Sequence, residues 1–277
     1  MDDEIRHYRI GEFAKKVGVS PDFLKYQEEF GVVNPRQSEN SNYRHYAFAQ
    51  TGRVLASLGY QSLGFTLREI EGILGKDSSE TIIGRLKDRS IELESEITHL
   101  KACLTGIEAI CQAEQLEARS EPWFIKDVPA FAFLPHSHKQ DFVDDETVPQ
   151  ILRAWVRWLP LVASTQRIQI VGTKEVDFSW GLTVNKEFAI GHQLPLDAPV
   201  QIIEPGRCLV YHQRIGLEET PIATQVMLGR ILKKPLAVAR AYGLALSGTV
   251  YNKILFISHE GQSRILHSVL SLPLVDS

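Results

Sequence analysis

Basic and phenolic side chains recur through the first 46 residues, and their chemistry suits contact with phosphate groups. Lys and Arg supply positive charge and N–H donors, Arg in a planar fork, and a Tyr hydroxyl adds a further donor. In protein–DNA complexes such contacts to the backbone fix the position of the protein. The candidate DNA-binding residues are Tyr8, Lys15, Lys25, Tyr26, Arg36, Tyr43 and Arg44.

No residue pattern typical of catalysis or metal binding is present. The sequence contains no Gly-x-Ser-x-Gly, no Gly-x-x-x-x-Gly-Lys-Ser/Thr and no His-Glu-x-x-His. The carboxylates considered for acid–base hydrolysis, Glu187, Glu218 and Glu219, lie in no motif. Cys111 falls at an apolar position of a helical pattern, so we interpret it as a packing residue. We therefore expect no catalytic residue, no metal and no cofactor.

Composition and charge limit the class of protein. The 277 residues are 44% hydrophobic and 23% charged, which is near the globular average and argues against disorder. Residues 1–76 carry no net charge, so any DNA binding must depend on where the basic groups lie. The longest uncharged run, Val54–Leu67, is too short to span a bilayer, and the acidic start is not a signal peptide. We expect a cytoplasmic protein with no membrane partner.

Two short helices are predicted near the start of the chain. Apolar residues at 10, 13, 14 and 17 share one helical face, and Gly18 ends that pattern. Ser20 is a good N-cap for a second helix over Pro21–Phe30, and Gly31 suits its end. Two helices across such a turn are typical of a helix-turn-helix, although an ordinary helical hairpin has the same pattern.

A small hairpin, or wing, is predicted after these helices. Extended pieces at 32–36 and 40–46 flank a polar tip, and the second piece carries Tyr43 and Arg44. Two further helices are predicted at 48–63 and 66–74, where Thr66 and Glu69 have the spacing of a capping box.

Five segments in this region match a family pattern without gaps: Tyr8–Glu12, Gly18–Ser20, Leu24–Glu28, Asn42–Tyr46 and Leu63–Ile70. On these residues the sequence resembles the MerR family of transcription regulators. The resemblance implies double-stranded DNA with a pseudo-palindromic operator as partner, and RNA polymerase as an indirect one. The family usually has Leu-Arg-Tyr-Tyr-Glu where this chain has Lys25 for the Arg and Gln27 for the second Tyr.

The middle of the chain predicts a long helix with a heptad pattern that only Ser90 interrupts. The apolar positions of the heptads are Ile83, Leu86, Leu93, Ile97, Leu100, Leu104, Ile107 and Cys111. This pattern favours a two-stranded coiled coil, and the alternative is one helix lying on its own domain. The resemblance implies pairing as an antiparallel dimerisation helix, and so a homodimer.

The remaining residues predict two strand-helix-strand-strand repeats. Strands are predicted at 123–125, 130–134, 168–171, 180–184, 208–214, 253–258 and 264–272, and helices at 148–162 and 221–232. A repeated spacing supports this, because Pro129 and Pro205 each stand seven residues before a His.

Segments Val200–Tyr211, Val250–Tyr251 and Val269–Pro273 resemble the gyrase-inhibitor-like effector domain of multidrug-sensing MerR proteins. The resemblance implies a pocket for flat, lipophilic, often cationic molecules, with a buried Glu on the last strand. Val269 occupies that position here. Three alternatives follow from the missing Glu. Another acid balances the charge of a cationic ligand, the ligand is neutral or anionic, or the pocket is vestigial. The candidate effector-binding residues are Trp180, Tyr211, Tyr251, Trp155 and Val269.

The expected fold class is α+β, with a winged helix-turn-helix domain at 1–76, a dimerisation helix at 77–120 and an effector-binding domain at 121–277. The expected function is a dimeric DNA-binding regulator, an activator that distorts promoter DNA in response to a small planar lipophilic effector. Two alternatives are a constitutive DNA-binding regulator with a vestigial sensor and a small-molecule hydrolase in the C-terminal domain.

Overall fold

The computed structural model describes residues 6–38, 41–139, 141–171, 175–217, 224–261 and 263–275. The chain divides into two compact units, Met1–Glu96 and Ile97–Ser277, and the boundary falls inside one long helix. The predicted three-part division at residues 76 and 120 stays a prediction. Among the described residues, no helix is both long and apolar enough to cross a membrane.

The first unit contains short helices and a three-stranded antiparallel sheet. Its elements are β1 (His7–Arg9), α1 (Ile10–Val17), α2 (Pro21–Glu29), β2 (Arg36–Ser38), β3 (Ser41–Ala47), α3 (Gln50–Ser62), α4 (Leu67–Gly75) and the start of α5 (Ser79–Glu117). The strand order is β1-β3-β2, so β2 and β3 form the predicted hairpin. Strand β1 was not predicted, and it pairs with β3 on the side opposite β2.

The capping residues predicted from the sequence determine where these helices begin and end. Gly18 follows α1 with a φ of +82°, a conformation that favours glycine. Ser20 Oγ accepts a hydrogen bond from the Phe23 backbone N–H at 3.0 Å and so caps α2. Thr66 and Glu69 form the predicted capping box of α4. The winged helix-turn-helix architecture is thus confirmed.

Helix α5 has two different faces. Large apolar residues of the heptad pattern are half exposed or more on one face: Ile83, Ile97, Leu100, Leu104 and Ile107. In the second unit, small residues on the other face are buried: Ala102, Gly106 and Ala113. Cys111 is exposed, together with the heptad residues that precede it. In the second unit the helix therefore packs through its small residues and leaves Ile97, Leu100, Leu104 and Ile107 uncovered, whereas Ile82 and Leu86 pack against the core of the first unit.

The second unit is built on one eight-stranded antiparallel sheet. The strands of the second unit, including two outside this sheet, are β4 (Trp123–Val128), β5 (Phe131–Pro135), β6 (Ser137–His138), β7 (Asp141–Phe142), β8 (Ala163–Val171), β9 (Glu175–Asn185), β10 (Gln201–Ile203), β11 (Gly206–Leu217), β12 (Thr249–Glu260) and β13 (Ser263–Pro273). Its further helices are α6 (Thr147–Trp155), a short 3₁₀ helix (Val156–Trp158), α7 (Lys186–Gly191) and α8 (Thr224–Ala241). Strands β6 and β7 form a separate two-stranded ribbon.

The strand order of the large sheet, β10-β5-β9-β8-β12-β13-β11-β4, confirms the predicted internal repeat. The elements β5-α6-β8-β9 and β11-α8-β12-β13 are two strand-helix-strand-strand units that meet at the β8–β12 pair. Each repeat also receives an edge strand from the other half, since β4 pairs with β11 and β10 pairs with β5.

Helices α6 and α8 cover one face of this sheet. Leu228 and Ile231 of α8 pack with Leu209 and Leu270, and residues of α6 pack around Ala132. Successive residues of a strand face opposite sides. The neighbours of these core positions therefore face the other way, towards the C-terminal half of α5.

Two helix predictions were wrong in their bounds. The helix predicted over 148–162 ends earlier, because Leu159 is extended before Pro160 and the chain then enters β8. The second, predicted at 221–232, is observed as Thr224–Ala241 with Pro235 inside it. Its predicted start, like Glu218 and Glu219, lies outside the described residues. Helix α7 and strand β10 were not predicted.

Candidate DNA interface and ligand cavity

Helix α2 carries two of the predicted DNA-binding residues on its surface. Lys25 Nζ lies 2.8 Å from Asp22 Oδ1, and both side chains are exposed. An exposed ion pair of this kind contributes little, so the ammonium group remains able to bind phosphate. Tyr26 is half exposed and packs edge-on against Phe30, with ring centroids 5.1 Å apart. Lys25 and Tyr26 are both accessible to a partner.

Gln27, which departs from the family pattern, belongs to the core of the first unit. It is buried, and Ser57 Oγ donates a hydrogen bond of 2.7 Å to its Oε1. A buried side chain held in this way cannot reach a DNA base. The change from Tyr to Gln therefore affects packing between α2 and α3.

Glu28 joins α2 to the wing. Its carboxylate lies 2.9 Å from Arg44 Nε and also accepts a hydrogen bond from the Tyr46 hydroxyl. Burial raises the pKa of Glu28, while the charges of Arg44 and Lys25 act in the opposite direction. Arg44 therefore positions the wing, and its partly exposed guanidinium has donors left for phosphate.

The other predicted DNA-binding residues lie around these two elements. Tyr8 in β1 is partly buried, with Lys16 Nζ 5.4 Å from the centre of its ring. Lys15 is exposed on α1, and Arg36 is exposed at the start of β2. Tyr43 lies in β3, but its side chain falls outside the described part of the chain. The DNA-binding role of all seven residues stays a prediction.

The second unit contains a cavity of about 500 Å³ between the sheet and α5. Its floor includes one row of side chains across four neighbouring strands, since His212 is paired with Val269, Val269 with Lys253, and Lys253 with Thr165. A second row contains Val210, Ser271 and Tyr251. The roof is formed by Gly106, Ala109, Ile110 and Ala113 of α5, and residues 159–164 close one side. This volume lies within the usual range for small-molecule sites.

The charged groups that line the cavity are basic. Lys126 and Lys253 line it, and no Asp or Glu of the described chain does. Burial lowers the pKa of Lys253, and the charge of Lys126 lowers it further. Burial likewise lowers the pKa of His212, again with a contribution from Lys126, and a hydrogen bond to the Ala113 backbone opposes both. An apolar cavity with an excess of positive charge is the result.

His212 lines the cavity and has one ring nitrogen without a partner in the described part of the chain. The residue is 6% exposed, and its Nδ1 has no hydrogen-bond partner among the described residues. A buried polar atom without a partner is costly, and protein atoms enclose this one.

Two of the five predicted effector-binding residues line the cavity, and three lie elsewhere. Tyr251 and Val269 are part of its floor. Tyr211 and Trp180 face the opposite side of the sheet, where they pack with the core beneath α8. Trp155 is buried in the core beneath α6, and its indole N–H donates to the Pro195 carbonyl at 3.1 Å.

Lys126, His212 and Lys253 line the cavity but were not among the predicted residues. The strand register contained the missing signal, because His212 and Lys253 are the cross-strand partners of Val269 and so share its face. That register is a long-range property, and the spacing of residues along one strand does not give it.

A Ser-His-Glu hydrogen-bond chain lies beyond the cavity. Ser258 Oγ lies 2.8 Å from His267 Nε2, and His267 Nδ1 lies 3.0 Å from Glu117 Oε2. The order matches nucleophile, base and orienting acid in hydrolases. However, none of the three residues lines the cavity, and Glu117 also lies 3.8 Å from Arg214. We interpret these hydrogen bonds as a structural connection between the end of α5 and the sheet.

Comparison with known proteins gives a consistent set of relatives. Residues 8–76 match the model of the MerR helix-turn-helix family of regulatory proteins. The chain is 28% identical over 104 residues to the multidrug-efflux transporter 2 regulator of Bacillus subtilis, a match covering 38% of each chain. It is 37% identical over 68 residues to the mercuric resistance operon regulatory protein of Bacillus cereus, covering 24% of this chain and 52% of that protein.

A third relative is matched over most of its length. The chain is 31% identical over 110 residues to an uncharacterized helix-turn-helix transcriptional regulator of Synechocystis, covering 37% of this chain and 80% of that protein. By contrast, the matches span only about two fifths and one half of the two Bacillus proteins. These matches, together with the capped α1–α2 pair and the wing, place the chain in the MerR family of helix-turn-helix regulatory proteins.

Proposed function

We propose that this protein is a dimeric, effector-responsive transcription regulator, which grips two half-sites of a pseudo-palindromic operator. The observation that carries the proposal is the linked surface of the first unit. There α2 exposes Lys25 and Tyr26, and Glu28 of the same helix holds Arg44 of the wing. A recognition helix fixed to a basic wing suits a major groove and its neighbouring phosphates.

The exposed heptad face of α5 supports a dimer. Four large apolar side chains along one stretch of helix, Ile97, Leu100, Leu104 and Ile107, are each at least half exposed. Surface patches of this kind are rare in monomers and mark interaction sites. The 3.5-residue spacing selects another helix as the partner, and a second copy of α5 satisfies it. A two-fold dimer also suits a palindromic operator.

The cavity supports a sensor role. Helix α5 forms its roof, and the same helix extends into the unit that carries the helix-turn-helix. A ligand that moves α5 therefore acts on the element that sets the half-site spacing. By this route effector binding distorts promoter DNA, and RNA polymerase then engages the promoter.

Salt-dependent DNA binding tests the proposal. Lys25→Ala and Arg44→Ala should each weaken binding to all sequences and reduce the slope of log K against log salt by about 2, because the dimer loses one phosphate contact in each half-site. Lys87→Ala, which removes an exposed charge on α5, is the matched control and should leave both unchanged.

Glu28→Gln separates the two possible roles of Arg44. This variant removes the ion pair but keeps the guanidinium. If Arg44 contacts phosphate, Glu28→Gln should retain the full salt slope while Arg44→Ala loses part of it. Equal slopes in the wild type, Lys25→Ala and Arg44→Ala would contradict the proposed interface.

A further inference from the structure

We propose that the cavity of the second unit binds a lipophilic organic anion, a molecule with one carboxylate-type group on an apolar body. This inference rests on the proposed sensor function and specifies its ligand. The multidrug-sensing resemblance alone implies cations, whereas the residues of this cavity favour the opposite charge.

The charged side chains that line the cavity favour an anion. Lys253 lies in the middle of the cavity floor, and Lys126 lies on the same cavity wall as His212. No described carboxylate forms an ion pair with Lys253, and none lines the cavity. A lipophilic cation entering this space would meet two ammonium groups in an environment that screens charge poorly. An anion instead compensates them.

The polar groups of the cavity floor also have no counter-charge among the described residues. Lys253 is desolvated and repelled by Lys126, which lowers its pKa, and His212 Nδ1 has no hydrogen-bond partner among the described residues. These groups lie on the two sides of Val269, because Val269 pairs with both His212 and Lys253. An acidic group above Val269 lies next to Lys253, whose ammonium can donate a charge-assisted hydrogen bond to it, and such bonds are the strong ones. The same anion favours the protonated form of His212, in which both ring nitrogens are donors.

The remaining lining of the cavity suits an apolar ligand body. Outside this polar region, the lining is mostly apolar, with Phe131 and Tyr251 in edge-on contact at 4.9 Å between ring centroids. The α5 roof contributes Ala109, Ile110 and Ala113. An aromatic or aliphatic body fills such a space, and its burial supplies most of the affinity.

Val269 is the position at which one substitution should most easily reverse the charge preference of the cavity. A carboxylate placed there by Val269→Glu would lie directly beside Lys253 on the neighbouring strand. It would neutralise the ammonium and restore the acid that the resemblance implies for cation binding. The variant should therefore lose anion binding and gain affinity for a cation of the same shape.

The experiment uses three probes with the same biphenyl body: biphenyl-4-carboxylate, biphenyl-4-carboxamide and 4-phenylbenzyltrimethylammonium. Tryptophan fluorescence and calorimetry report binding to the full chain, since all four Trp lie beyond residue 120. We expect the carboxylate to bind best. Lys253→Met should weaken the carboxylate by about 10- to 100-fold, the loss expected for one charge-assisted hydrogen bond, and leave the carboxamide within about twofold.

Lys233→Met is the matched control, because Lys233 is an exposed lysine of α8. It should leave all three affinities unchanged, and thermal melts of each variant show whether it is folded. If Lys253→Met fails to fold, Lys126→Met and Val269→Glu make the same test. Preference for the cation, equal binding of all three probes, or no binding of any of them would overturn the inference.

DNA binding by the same preparations separates this inference from the proposed function. A protein that binds DNA but prefers no anion retains the regulatory proposal and loses the ligand class. A protein that binds the carboxylate but no DNA retains the ligand class and loses the regulatory proposal.

Discussion

Replacing Gly106 by Ala tests how closely α5 packs against Pro160 within the second unit. A Cβ at this position would lie 2.5 Å from Pro160 Cγ and 3.1 Å from Pro160 Cδ. Normal carbon contacts are about 3.5–4.0 Å, so either the helix or the residue 159–164 segment must move. Because Pro160 is a rigid ring next to the chain reversal before β8, we expect the strain to remain in the folded state.

Two opposing effects set the size of the change. Gly to Ala inside a helix contributes about 1 kcal/mol to stability through backbone entropy and propensity. Overpacking typically costs about 1–3 kcal/mol. Gly106→Ala should therefore lower the free energy of unfolding of the second unit by about 0–2 kcal/mol.

Gly229→Ala is the matched control. Gly229 is an exposed glycine inside α8, and a Cβ there would meet nothing within 4 Å. This variant should show only the propensity gain, so the two variants should differ by about 1–3 kcal/mol. Urea denaturation followed by tryptophan fluorescence measures both, because every Trp lies in the second unit. Equal stability of Gly106→Ala and Gly229→Ala would refute the close approach of α5.

Three further predictions follow from single side chains. Leu104, 60% exposed on the heptad face, should be buried in the dimer, so Leu104→Glu should give a monomer by light scattering. Thr105→Glu, one residue off that face, should remain dimeric. If both variants were dimeric, the dimer interface would lie elsewhere. His212 has a lowered pKa in the folded protein, so below about pH 6.5 the unfolded chain binds a proton that the folded one does not. Stability should therefore fall as the pH falls below this value, and His212→Gln should reduce that slope; an unchanged slope in urea titrations would contradict it. Ser258→Ala should leave turnover of p-nitrophenyl acetate at its wild-type level, and a lost activity would instead favour the hydrolase alternative.

Local signals in the sequence predicted the first unit well. Gly18, Ser20 and the Thr66–Glu69 pair act within one turn of helix, so their neighbours alone determine the cap. The heptad pattern likewise predicted α5, because helical periodicity is a property of one segment. Strand β1 was missed, since its three residues form a strand only through pairing with β3.

The candidate ligand site was harder to predict because it depends on which face of the sheet the helices cover. Tyr211 and His212 are adjacent, and alternation places one beneath α8 and the other in the cavity. The aromatic residue was the predicted effector contact, whereas the structure brings the histidine to the cavity. Trp155 lies away from the cavity for a related reason: the apolar face of α6 packs on the sheet, and its largest side chain fills that core.

The most direct test of the account is the selection of DNA by the purified full-length protein from a random double-stranded library. We expect enrichment of one pseudo-palindromic sequence with two half-sites, and loss of that enrichment when Arg44→Ala and Lys25→Ala are combined. No enrichment, or enrichment of a single unpaired half-site, would contradict a dimer that binds DNA through α2 and the wing.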